Sequence, residues 1–209
     1  MKIKNVAILV FVLILLDQIL KIWIKTHLRI DEAIMVVPDW FQLRFIENNG
    51  AAFGMQITSA GGFDWGKLAL SLFRVVMIGL LGYYITYLNR REARAPKGVT
   101  IGLALILAGA LGNLIDSMFY GMIFTQSTPM TVATLGEGYS QFMMGKVVDM
   151  FYFPLFEWPD WMPLIGGDVF FGAVFNVADA AISIAFVLAL CFYSKYLNFS
   201  FKKSKENNE

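Results

Sequence analysis

The chain has 209 residues, 57% of them hydrophobic and 16% charged, with a mean hydropathy of +0.60, a balance too apolar for an ordinary soluble domain and typical of a polytopic membrane protein. A formal net charge of +1 provides no bulk attraction for nucleic acid. One cysteine and one histidine exclude an intrachain disulfide, a cysteine-rich zinc site and an HExxH motif, and no Gly-rich phosphate loop precedes a lysine, so neither metal nor cofactor is expected.

Crossing a bilayer takes about 20 apolar residues of helix. Four stretches qualify: Val6–Ile24, Leu68–Leu88, Val99–Ile115 and Phe171–Tyr193. The first lacks a small-residue cleavage site and carries Asp17 and Lys21, so it reads as a retained helix and not as a cleaved signal peptide. Lys2 and Lys4 precede it, Arg90, Arg91, Arg94 and Lys97 fill the second link, and Lys195, Lys202, Lys203 and Lys205 follow the fourth stretch. The positive-inside rule then puts both termini and that link in the cytoplasm, and the connections Lys25–Lys67 and Asp116–Phe170 outside. The expected fold is an all-α membrane protein, a single domain over residues 1–209 with four transmembrane helices and a small extracytoplasmic β-containing platform.

Within the first connection, VVPDWFQLRF (Val36–Phe45) alternates and is rich in β-branched and aromatic residues, which predicts short strands. ENNGAAFGM (Glu47–Met55) follows with a turn signal. Trp158, Pro159, Trp161 and Pro163 in the second connection suit the membrane–water boundary. After Phe201 the chain is charged and is expected to be disordered.

Ionisable residues inside apolar spans are functional candidates, because hydrocarbon solvates charge badly. Asp17 and Lys21 are four apart in DQILK and allow an intrahelical ion pair that faces the bundle interior. Asn113 and Asp116 share a face at the end of the third span, flanked by Gly109 and Gly112, which permit close helix approach. A polar helix end meeting water accounts for that pair equally well. Asn176 and Asp179 are three apart within FNVAD, one helix face at the start of the fourth span. Asp149, in GKVVDMFYF, taken alone is an ordinary loop aspartate; with Asp179 it forms a candidate dyad. Two carboxylates in a partly dry site share one proton, which suits general acid–base hydrolysis of an amide without a covalent intermediate.

These blocks together resemble the lipoprotein signal peptidases (signal peptidase II): DQILK at Asp17–Lys21, NNGAAFG at Asn48–Gly54, GALGNLID at Gly109–Asp116, VVD at Val147–Asp149 and FNVAD at Phe175–Asp179. The resemblance implies that Asp149 and Asp179 are catalytic. It implies that Asn48 and Gly50 contact substrate or shape the site, and that Asn113 and Asn176 bond the substrate backbone or hold the aspartates. Asp17, Lys21 and Asp116 become supporting polar residues. The implied substrate is a diacylglyceryl-modified prolipoprotein cut before its lipidated cysteine, with no cofactor, by a monomer in the bacterial cytoplasmic membrane whose active site is extracytoplasmic. Residues Gly50, Ala51, Ala52, Phe53 and Gly54 suit a small-residue turn and apolar cover that closes over the pocket.

Two features depart from the family pattern. The family commonly has arginine directly after the aspartate of the NLID block; Ser117 stands there, so Asp116 needs a charge partner from elsewhere, with Lys146 the candidate. The segments Met118–Lys146 and Met150–Gly172 are longer than usual and read as a surface piece over the site. Two other readings fit the composition: a proton-coupled carrier using Asp17, Asp116 and Asp179 as a relay, and a non-catalytic assembly protein whose polar residues fasten helices.

Overall fold

Helix α1 (Ile3–His27) shows how this sequence sorts its faces: Val6, Val10, Asp17, Lys21, Ile24 and Lys25 are buried, while Ile8, Phe11, Leu15 and Ile19 are exposed. Charge points inward and bulky hydrocarbon outward, the inverse of a soluble amphipathic helix and the arrangement that a lipid surrounding favours. The computed structural model describes residues 2–49, 64–90 and 96–206. The expected Gly50–Gly54 turn, and Arg91 and Arg94 of the basic link, lie outside the described residues.

Three further long helices follow, α2 (Trp65–Arg90), α3 (Lys97–Ile115) and, after a short α4 (Gly121–Ile123), α5 (Val177–Glu206). Helix α3 is central and packs against α5, α1 and α2. Its glycines make that possible. A Cβ on Gly109 would lie 2.3 Å from the Ala178 carbonyl oxygen, and one on Gly112 would lie 2.7 Å from Asp17 Oδ2. Since the first obstacle is backbone, Gly109→Ala is expected to lower stability by about 1–3 kcal/mol, the usual cost of overpacking. Thermal unfolding in detergent checks this; an unchanged midpoint would contradict the close approach.

Several boundaries differ from those expected. The third span does not stop at Ile115: a π-helical turn at Asp116–Tyr120 and then α4 carry it on, so an apolar helical stretch of 27 residues runs from Lys97 to Ile123. Asn113 and Asp116 therefore lie inside a helix and do not form a wet terminus; Asp116 is fully buried. The fourth helix begins at Val177, not Phe171, because residues 169–170 form a strand. Among the described residues, three helices are long and apolar enough to cross a membrane, and Val177–Cys191 is a shorter apolar stretch of α5. Helix α5 also continues to Glu206, where disorder was expected beyond Phe201.

The predicted strands are β1 (Ala33–Val37) and β2 (Phe41–Asn48), an antiparallel hairpin. A third strand, β3 (Val147–Tyr152), pairs antiparallel with the free side of β2, giving the order β1-β2-β3. Asp149 is thus a strand residue and not a loop residue. A separate small hairpin joins β4 (Phe156–Glu157) to β5 (Val169–Phe170). Pleating sends Val148 and Met150 to one side of β3 and Asp149 to the other. Val148 and Met150 enter a core with Ile24, Leu28, Phe45, Tyr120 and Phe124. Full burial of such side chains contributes about 1.5–3 kcal/mol each. Tyr120 and Phe124 come from the long segment read as a surface piece; part of it is instead the footing on which the sheet rests.

Candidate active site

Two backbone connections bring Asp149 and Asp179 together. Phe175, just ahead of α5, pairs with the edge of β3: the Phe151 N–H donates to Phe175 O at 2.7 Å and the Phe175 N–H to Phe151 O at 3.1 Å. Rings of Phe153 and Phe175 stack at 5.8 Å beside that bridge. Asn176 comes next, and its Oδ1 accepts the Asp179 N–H at 2.9 Å. It is an N-cap, satisfying a donor that the first helical turn leaves without a partner. Asn176 therefore precedes the helix and does not share a helical face with Asp179 as the spacing suggested. Asp179 sits in the first turn of α5, half-buried, whereas Asp149 is 3% exposed.

The amide orientations follow from their neighbours. Capping commits the Asn176 oxygen, so its Nδ2 faces Asp149 Oδ1 at 2.6 Å, with Val148 O and Asn113 Oδ1 each at 3.2 Å. Lys21 can only donate, and its Nζ lies 2.8 Å from Asn113 Oδ1. That commits the Asn113 oxygen and turns its Nδ2 toward Asp179 Oδ1 at 2.8 Å. Each asparagine thus aims a donor at one carboxylate of the pair. Asn48, on β2, donates to the other oxygen of Asp149. Its position follows from register: Asn48 lies opposite Val147 and Ile46 opposite Asp149.

Beneath the pair lies a buried charge cluster. Lys21 is fully enclosed, with Asp17 Oδ2 at 2.9 Å and Asp116 Oδ2 at 2.8 Å. Asp17 Oδ1 accepts the Ala178 N–H at 3.0 Å, tying α1 to the start of α5. Asp116 Oδ2 accepts the Val148 N–H at 3.3 Å, tying the π turn to β3. The partner of Asp116 is therefore Lys21. Lys146, the partner expected from sequence, lies instead 3.7 Å from Glu47 Oε2.

Burial first, and then the charge of Asp179, push the Asp149 carboxyl up to about 7; Lys21 and the Asn176 hydrogen bond oppose the rise. Asp149 has two amide donors, and among the described residues no ion pair joins it to a cation.

The structure therefore gathers Asp17, Lys21, Asn48, Asn113, Asp116, Asp149, Asn176 and Asp179 into one connected network, while Gly50 lies outside the described residues. Sequence reasoning missed three contributors. Gln18 donates to Asp116 Oδ1 at 2.9 Å and accepts from Tyr120 OH at 3.1 Å, locking the π turn to α1. Lys25, fully buried, pairs with Glu47 and Ser127 at the base of β2. Arg74 of α2 approaches Ser117 Oγ at 3.4 Å, and its position within an apolar span was signal enough to single it out.

The signal peptidase (SPase) II family profile matches residues 9–195. A lipoprotein signal peptidase of Porphyromonas gingivalis is 43% identical over 198 residues, covering 92% of this chain and 84% of its own. One from Amoebophilus asiaticus is 36% identical over 174 residues, covering 81% and 69%. Two solved bacterial membrane enzymes have the same fold, with TM-scores of 0.56 and 0.57 at 20% and 23% identity; they cover 99% and 91% of this chain and 93% and 95% of their own. The chain belongs to the signal peptidase II family, a family of membrane-embedded proteases of bacteria.

Proposed function

We propose that this protein is a membrane aspartyl endopeptidase that removes signal peptides from diacylglyceryl-modified prolipoproteins, cutting before the lipidated cysteine. Family membership supports signal-peptide cleavage from prolipoproteins. One observation carries the mechanism: two carboxylates distant in sequence, each held by the amide of one of two mutually bonded asparagines.

In this reading Asp179, half-buried and nearer to solvent, is the ionised base, and Asp149 is the protonated acid. Asp179 takes a proton from water as the water oxygen attacks the scissile carbonyl carbon. Asp149 gives its proton to the carbonyl oxygen, leaving a neutral gem-diol. Asp179 then protonates the departing amine, Asp149 recovers the diol proton, and the C–N bond breaks. Asn48, Asn113 and Asn176 keep both carboxyls in place.

In this reading α5 is a fourth span, and the positive-inside rule then puts both termini in the cytoplasm and the dyad on the extracytoplasmic side of the cytoplasmic membrane. In this reading the enzyme acts as a monomer. A substrate that is itself a lipid-bearing membrane helix then reaches the dyad sideways, its acyl chains remaining in hydrocarbon. The carrier reading gives way to the protease family assignment.

The test is cleavage of a synthetic prolipopeptide with and without the diacylglyceryl group. Only the lipidated peptide should be cut, and failure to cut it would remove this function. Its pH profile supplies a second check. An acid with its value near 7 is lost as pH rises, so kcat/KM should fall above about pH 7, by about tenfold per unit. A rate flat through alkaline pH would rule out Asp149 as the acid.

A further inference from the structure

Helix α2 carries a polar seam in an otherwise apolar span. Lys67, Ser71 and Arg74 recur at helical spacing, so they share one face. Each side chain has a partner toward the site. Lys67 Nζ donates to Asn49 Oδ1 at 3.1 Å, beside the Asn48 that holds Asp149. Ser71 Oγ donates to Met143 O at 3.2 Å. Arg74 Nη1 donates to Ser117 Oγ, which donates in turn to Asn113 O at 3.0 Å. The guanidinium thus abuts the helical turn whose Asn113 side chain bonds Asp179.

The charges around it are not symmetric. Arg74 interacts most strongly with Asp179 and next with Asp116. Lys21 is the one cation shared by Asp116 and Asp17. Lys25 and Lys146 are engaged by Glu47, and Lys67 faces Asp64, Glu47 and Lys146. Asp149 faces Asp179 and Lys21 from its own strand. The acids that act on the Arg74 guanidinium are therefore Asp179 first and Asp116 second.

We propose that Arg74 is a positioning residue whose guanidinium, lodged against Ser117, keeps the negative charge of the dyad on Asp179 and the proton on Asp149. It is not a catalytic residue, since it acts through Asp179. The proposal rests on the aspartyl peptidase reading.

The experiment is a charge relocation. In Arg74→Gln, the acidic limb of the kcat/KM profile should move to higher pH, because a nearby cation favours the ionised form of a carboxylate. In the double variant Arg74→Gln/Ser117→Arg, the limb should return toward its wild-type position and cleavage should recover at least tenfold over the single variant. A merely structural arginine would change the unfolding midpoint without moving the limb. A wild-type limb in Arg74→Gln overturns the proposal, as does a folded double variant no better than the single one. Should Arg74→Gln fail to fold, the double variant decides: folding with a wild-type limb supports the proposal, and folding with a displaced limb overturns it. Asp149→Asn and Asp179→Asn, assayed alongside, keep the two levels apart. If both are inactive while Arg74→Gln has the wild-type profile, only the role of Arg74 falls; if either cleaves, the dyad itself falls.

Discussion

Asp149→Asn and Asp179→Asn are each expected to lower prolipopeptide cleavage by at least about 10²–10⁴-fold, the range that a positioned acid or base contributes. Asparagine matches the carboxyl in shape, so the loss is chemical. The two variants should differ in stability. Asp149 is buried and shifted to about 7, above the value of about 4 for an unfolded aspartate. A shift of that sign makes a contribution that is complete below about pH 4 and is lost as pH rises through about 7. Asparagine cannot ionise, so Asp149→Asn should gain in unfolding midpoint relative to wild type as pH passes 7. No such gain is expected for Asp179→Asn, where the residue is half-buried. Cleavage assays with thermal unfolding at acid and alkaline pH measure both; retained turnover in either variant removes that residue from the dyad.

Lys21→Met should be the most damaging single change to the fold. Lys21 is enclosed between Asp17 and Asp116 and also orients Asn113. Methionine fills a similar volume but leaves two carboxylates facing each other without a cation, and breaking a buried ion pair costs about 3–5 kcal/mol. It also frees the Asn113 amide to rotate, so Asp179 loses the donor that Lys21 had imposed. Unfolding in detergent should show the drop. Combining Lys21→Met with Asp17→Asn and Asp116→Asn should recover much of the stability and little of the activity, because the charges are then balanced while the amide stays unoriented. A wild-type unfolding midpoint for Lys21→Met alone would mean that the cluster does not hold the bundle together.

Some of this was legible before any fold was known. Apolar runs with charges inside them mark a membrane protein, since hydrocarbon tolerates Asp17 or Lys21 only when they face inward. The ion pair at Asp17 and Lys21 follows from four-residue spacing alone. The β1–β2 hairpin follows from alternation within one short segment. All of these are local patterns that report burial.

Partners across the chain were a different matter. Lys146 and Lys21 offer Asp116 the same charge, and only the packing of α1 on α3 selects Lys21. The sequence VVDMFY does not announce a strand, because its pairing partner β2 lies about a hundred residues earlier. Asn176 and Asp179 have helical spacing, yet the β-bridge at Phe175 ends the extended chain just where Asn176 becomes a cap. By itself, then, the sequence determined the membrane environment, the family and the inventory of polar side chains. The tertiary structure decided which carboxylates meet, which amide points at each and where the guanidinium rests, because those choices depend on sheet register and helix approach between segments that carry no information about each other's distance.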